Sequence, residues 1–153
     1  MTEREFVVKP LPSVRLAERS GTVATQPEVG PLVGPLFDAV AYALSAAGQE
    51  LGVAVAYYDM TDAGVECHAG FEYDGEQAEG FDIGQLPPVP EALTLVHLGS
   101  MAGISDSWMA VYDWLGTSGL TPSGPGREVY LESSSPDQDT WVTELQQPFV
   151  RPT

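Results

Sequence analysis

Two stretches, Leu11-Pro12-Ser13-Val14 and Leu86-Pro87-Pro88-Val89, open the two halves of the chain in the same way, and the segments after them, alike in order, decide the fold. After the first, an extended segment runs from Val14 to Thr22; after the second, one runs through Leu93 to Leu98. Then the apolar period changes in both halves. Val29, Leu32, Val33, Leu36, Phe37, Val40 and Leu44 recur at three- and four-residue steps, with Pro31 and Pro35 suited to an entry turn and Gly48 just past the end. Ile104, Trp108, Val111, Tyr112 and Leu115 form a narrower stripe that Ser105 or Asp106 can cap and Gly119 can stop. Two β-like segments come after each helix: 53–59 and 65–73 in the first half, 127–132 and 141–149 in the second.

This order predicts an α+β protein made of a βαββ unit used twice within a single domain, residues 1–153. Repeat one covers about 3–73 and repeat two about 81–150, joined by the polar, acidic linker 74–80 (Asp-Gly-Glu-Gln-Ala-Glu-Gly). Neither unit can easily bury a sheet face alone. The expectation is one antiparallel sheet core with two main helices, a pseudo-two-fold axis and a central cleft where the copies meet.

A chain of 153 residues with 43% hydrophobic content has the size of one domain. Six basic against 22 acidic side chains leave a formal charge of −16, and no Lys or Arg occurs between Arg19 and Arg127. Such a field repels phosphate backbones and anionic lipid surfaces, which excludes direct nucleic-acid binding and a membrane-surface role. The single Cys67 cannot form an intramolecular disulfide, and His68 and His97 are its only non-carboxylate companions as metal ligands. Disulfide scaffolds and zinc modules are thereby excluded, and neither cofactor nor metal is expected. The start Met1-Thr2-Glu3-Arg4-Glu5 is charged and no uninterrupted apolar run approaches a membrane span, so the reading is a cytoplasmic protein.

The second half contains Leu95-Val96-His97-Leu98-Gly99, Tyr112-Asp113-Trp114-Leu115, Gly126-Arg127-Glu128-Val129-Tyr130-Leu131 and Thr143-Glu144-Leu145-Gln146-Gln147-Pro148-Phe149. In order and spacing this resembles the GyrI-like effector-binding domain, which also occurs fused to AraC- and MerR-type transcription regulators. Tyr57-Tyr58-Asp59 and Gly70-Phe71-Glu72-Tyr73 sit where the family's corresponding first-half strands would be. One departure is Ser100-Met101, where the family usually has Pro-Tyr. The resemblance implies a cleft that takes bulky, often cationic, lipophilic molecules by aromatic stacking around a buried glutamate, in a stand-alone version of the domain. Some stand-alone relatives are similar to hydrolases that open strained cyclopropane rings.

Glu144 lies in an alternating strand beside Val142 and Leu145, and the family motif favours a pocket position over an exposed one. Tyr130 is expected beside it if the last two strands form a hairpin. In the repeat alignment Tyr57 corresponds to Tyr130 and His68 to Glu144. Trp108 and Tyr112 fall on the apolar stripe and read as core, whereas Trp114, two positions past Tyr112, reads as a cleft wall. Phe71, Trp141 and Met101 complete the ligand-binding set with Glu144, Tyr130, Trp114, Tyr57 and His68. Cys67 and His68 are strand neighbours facing opposite sides and do not form a nucleophile pair, and His97 reads as a structural imidazole. The leading function is sensing or sequestration of lipophilic, cationic small molecules of the multidrug type. An enzyme of the same fold, a cyclopropanoid-type hydrolase using Glu144 and Tyr130, is the alternative. A DNA gyrase inhibitor acting by protein interaction, with its protein partner unknown, ranks third.

Overall fold

The computed structural model describes residues 5–153; the charged start, Met1–Arg4, lies outside them. In chain order the elements are β1 (Phe6–Leu11), β2 (Val14–Val23), α1 (Val29–Ala46), β3 (Ala54–Thr61), β4 (Gly64–Glu72), β5 (Asp82–Leu86), β6 (Val89–Leu98), α2 (Ile104–Thr117), β7 (Thr121–Pro122), β8 (Gly126–Glu132) and β9 (Val142–Val150). Repeat one therefore carries one strand more than βαββ, and repeat two carries two, the short β7 included. Leu11 ends β1 and Leu86 ends β5, and the prolines after them, lacking an N–H, break the ladder before the next strand begins.

Two compact units emerge, and they do not coincide with the repeats. Unit 1 holds the described residues up to Pro12 together with Pro88–Thr153; unit 2 is Ser13–Pro87. The first strand of each repeat belongs to the other repeat's unit, since β1 pairs with β6 and β5 with β2. The segment 74–80 consequently lies inside unit 2 and does not separate the units. Arg15 pins its beginning, donating to the carbonyls of Tyr73 (3.0 Å) and Gly75 (2.6 Å).

Unit 2 is an antiparallel sheet in the order β5-β2-β4-β3. Helix α1 buries Val33, Val40 and Leu44 against Ala17, Phe71 and Phe81, with Phe37 edge-on to Phe71 at 5.7 Å. Strand period two then puts Val65, Cys67, Ala69 and Phe71 of β4 on the helix side and Glu66 and His68 on the opposite face. Pro35, expected in an entry turn, lies inside α1, which gives up one backbone hydrogen bond there. Together with the preceding turn, α1 forms a 21-residue helical stretch, Gln26–Ala46, that contains an 18-residue window of mean hydropathy 1.4 and is long and apolar enough by length and composition to cross a membrane. No uninterrupted apolar run of that length is present, since Asp38 interrupts this one, but the Val, Leu and Ala around it keep the mean high.

Unit 1 is an antiparallel sheet in the order β1-β6-β9-β8, with β7 pairing at the end of β9. Helix α2 packs Val111 and Leu115 on Leu93, Leu95, Leu145 and Phe149. Gly48 and Gly119 take left-handed φ values of 76° and 72° just past α1 and α2, as the helix-stop reading required. Residue by residue, β4 and β9 show the same alternation of buried and half-buried positions, so Glu66 corresponds to Glu144 and His68 to Gln146.

Candidate functional site

In β8, Glu128 and Tyr130 are two residues apart and so share a face, and pairing with Leu145 and Thr143 puts that face under α2. Glu128 is 4% exposed. The Trp108 indole N–H donates to Glu128 Oε2 at 2.8 Å and the Tyr130 hydroxyl to Oε1 at 2.5 Å. Trp108 stacks on Tyr112, centroids 5.9 Å apart, and the Tyr112 hydroxyl donates to Gln147 Oε1 at 3.1 Å. Tyr112, read as core from the helical spacing, is 46% exposed, and the partial burial of its phenol pushes its pKa up from the ordinary value. At the other end of this face Thr143 Oγ1 lies 3.9 Å from Met101 Sδ. A buried carboxylate held by an indole and a phenol, with a second tyrosine stacked on the indole, puts negative charge beside aromatic faces, the arrangement that favours organic cations.

Glu144 lies elsewhere. It pairs across the sheet with Val129, on the face opposite Tyr130, so the two do not meet. Its charge is complemented by Lys9 of β1, whose Nζ is 3.0 Å from Oε1, and by Gln146 Nε2 at 2.7 Å. The expectation of a glutamate lacking nearby basic residues held along the sequence only; Lys9 is 135 positions away. The distinction drawn between the two tryptophans also changes, since both pack against the core cluster. Successive residues on a helix are about 100° apart, so with Val111 at the centre Trp108 and Trp114 flank the stripe symmetrically on opposite sides. Trp108 in addition reaches Glu128, whereas Trp114, read as a cleft wall, stacks on Phe6 at 5.9 Å. Trp141 donates its indole N–H to Ser135 O at 2.6 Å, which ties down the loop before β9. Phe71 is a core residue beneath α1, on the face opposite His68.

Unit 2 contains a second polar cluster, on its helix-free face. Tyr57 and His68 are cross-strand partners and stack at 4.2 Å, nearly parallel. Both reach Glu18 of β2, which is 4% exposed: Tyr57 donates to Oε1 at 2.6 Å and His68 Nδ1 lies 2.5 Å from Oε2. His68 Nε2 lies 2.7 Å from Glu66 Oε1. Gly84 makes the room for this arrangement, because a Cβ at that position would overlap the Glu18 carboxylate. Burial, then the Glu18 hydrogen bond and charge, hold the Tyr57 phenol well above its ordinary pKa. For His68 burial pulls the pKa down, but Glu18 and Glu66 outweigh it and the net shift is upward. Cys67 is buried on the other face, as strand alternation required. His97 bonds Ser107 Oγ at 2.8 Å and Ser100 O at 2.9 Å, the satisfied structural imidazole anticipated for it. Metal binding was set aside by considering the surroundings of Cys67, whereas the β3–β4 register assembles a different set, Asp59, Glu66 and His68.

Sequence reasoning missed Glu18, Glu66 and Glu128. For Glu128 a signal was available: Glu-x-Tyr in a strand puts both side chains on one face in any register. Glu18 interrupts an apolar run, Leu16-Ala17-Glu18, where a carboxylate has to be satisfied.

No family model matches the chain, and no curated protein sequence matches it. Solved structures do. The EcmrR C-terminal domain superposes with a TM-score of 0.74 at 17% identity, covering 99% of this chain and 100% of that one. SAV2435 bound to tetraphenylphosphonium gives 0.66 at 14% identity, with 95% and 94% covered. A hydrolase from Listeria innocua gives 0.63 at 12% identity, with 98% and 94% covered. The chain therefore has the α+β fold of these proteins, the fold that its resemblance to GyrI-like effector-binding domains implied.

Proposed function

We propose that the chain is a small-molecule effector-binding domain whose ligands are bulky lipophilic cations, held over Glu128 by Trp108, Tyr112 and Tyr130. The observation that carries this reading is the buried Glu128 carboxylate, with an indole N–H and a phenol O–H on its two oxygens, next to a stacked Trp–Tyr pair. The likeness in fold to SAV2435, whose structure contains tetraphenylphosphonium, supports the ligand class. A role of the multidrug type, sensing or sequestering such compounds in the cytoplasm, accords with this reading. Neither nucleic acid nor membrane is proposed as a direct partner.

Titrating tetraphenylphosphonium and neutral triphenylphosphine oxide, followed by tryptophan fluorescence, tests it. Glu128→Gln is expected to weaken the cation by about 1–3 kcal/mol and the neutral compound much less. Glu144→Gln, on the other face beside Lys9, is expected to change neither. Equal losses for the two ligands in Glu128→Gln overturn the electrostatic role of Glu128.

A second reading, hydrolysis of a strained ring, draws support from the likeness in fold to the Listeria innocua hydrolase. It pairs Tyr130 with Glu128, because Glu144 and Tyr130 occupy opposite faces and do not act on one substrate atom together. Ring-opened product from a cyclopropane-bearing electrophile, detected by mass spectrometry and lost in Glu128→Gln, separates this reading from passive binding.

A further inference from the structure

Asp59 of β3 and Glu66 of β4 are directly opposed on the helix-free face of unit 2. Like charges in that relation destabilise the strand pair. The sequence provides little to offset them: of its six Lys and Arg, Arg15 and Arg19 alone fall within unit 2. Arg15 is engaged with the Tyr73 and Gly75 carbonyls, and Arg19 pairs with Ala69, which puts it on the α1 face. The group that does face the two carboxylates is His68, with its orientation fixed. Buried Glu18 takes its Nδ1, Tyr57 lies flat against its ring, and Nε2 is left directed at Glu66. One donor atom from each of Asp59, Glu66 and His68 lies within 4.8 Å of the others. Metal–ligand bonds of about 2.0–2.2 Å need donor atoms roughly 3–3.5 Å apart, so modest rotamer adjustment closes the set.

We propose that Asp59, Glu66 and His68 bind a divalent first-row transition ion, with Glu18 as the orienting partner of the His68 ligand. An imidazole nitrogen with two carboxylates suits zinc or manganese better than magnesium or calcium, which take oxygen ligands, and the absence of thiolate disfavours softer ions. A carboxylate behind the other nitrogen of a histidine ligand is the usual outer-shell device for holding tautomer and ring direction. The Glu66 side chain is 41% exposed, so an ion has a route in from solvent. All four residues belong to unit 2, whereas the Glu128 cluster belongs to unit 1.

The test titrates zinc chloride into chelator-treated protein by calorimetry and follows the ring nitrogens by long-range ¹H–¹⁵N correlation. The sequence contains two histidines, so His97, held by Ser107 and Ser100, serves as an internal control. Binding of one equivalent is expected, with the His68 resonances shifted and those of His97 unmoved. Asp59→Asn and Glu66→Gln each weaken binding tenfold or more, and Glu18→Gln, which removes no ligand, weakens it about tenfold. Cobalt(II) in place of zinc gives visible absorption bands that Glu66→Gln abolishes. The proposal is overturned if His68 does not respond at millimolar zinc. It is equally overturned if Glu76→Gln/Glu79→Gln, in the acidic 74–80 segment, weakens binding as much as Asp59→Asn does, since that marks diffuse attraction to an acidic surface.

Discussion

Replacing Trp108 and Trp114 separately by phenylalanine isolates the one interaction that distinguishes them. Both substitutions trim an indole to a phenyl ring at the edge of the same core cluster, so their packing losses are comparable. Trp114→Phe keeps a ring to stack on Phe6, and its cost is expected to stay below about 1.5 kcal/mol. Trp108→Phe in addition takes a donor from a carboxylate that is 4% exposed. A hydrogen bond to a charged group is worth about 1.5–3 kcal/mol, and that is the expected difference between the two variants. In a chain of this size each kcal/mol moves the melting temperature by about 2–4 °C, so Trp108→Phe should melt roughly 3–12 °C below Trp114→Phe. Urea melts with unchanged m-values, run beside calorimetry, measure it. Equal stabilities for the two variants, or Trp114→Phe the weaker, refute the placement of Trp108 over Glu128 and with it the aromatic wall of the proposed ligand site.

Lys9 is 42% exposed on the side chain, so its ion pair with Glu144 is worth at most about 1 kcal/mol, and Lys9→Met should change stability by no more than that. The same variant should leave tetraphenylphosphonium affinity unchanged in the fluorescence titration; a tenfold tightening would return Glu144 to the ligand site. Tyr112 supplies a pH dependence. Its phenol pKa is raised on folding, so its contribution is present below the unfolded value near 10 and is lost as pH rises from there through the folded value. Wild-type stability minus that of Tyr112→Phe should therefore be flat to about pH 10 and decline above it; a difference that rises with pH contradicts the upward shift of this phenol.

The legible and the hidden parts of this fold divide along the line between local and non-local physics. Both helices and most of the strands announce themselves by apolar period within a few residues, and Gly48 and Gly119 stop the helices because each turn needs a left-handed residue. Strand exchange and register carry no such local mark. Leu-Pro at 11–12 and 86–87 signals a break, but nothing nearby says that the strand before it pairs with a strand of the other repeat. Lys9 and Glu144 illustrate the same limit, as does the opposition of Asp59 and Glu66. The equivalence of His68 with Glu144 failed through a two-residue offset. Superposing Val65-x-Cys67-x-x-x-Phe71 on Thr143-x-Leu145-x-x-x-Phe149, the buried positions of the two strands, sets Glu66 on Glu144 and His68 on Gln146. The buried positions are the better guide because core packing constrains them in both copies, whereas the tyrosines matched between the repeats lie on different faces: Tyr57 with His68 away from its helix, Tyr130 with Glu128 beneath its own. For the proposed ligand site, then, the legible signal is a short-range one, an acid and a tyrosine two apart on a strand. That spacing keeps them on one face whatever the register, and Glu128-x-Tyr130 satisfies it where Glu144 with Tyr130 does not.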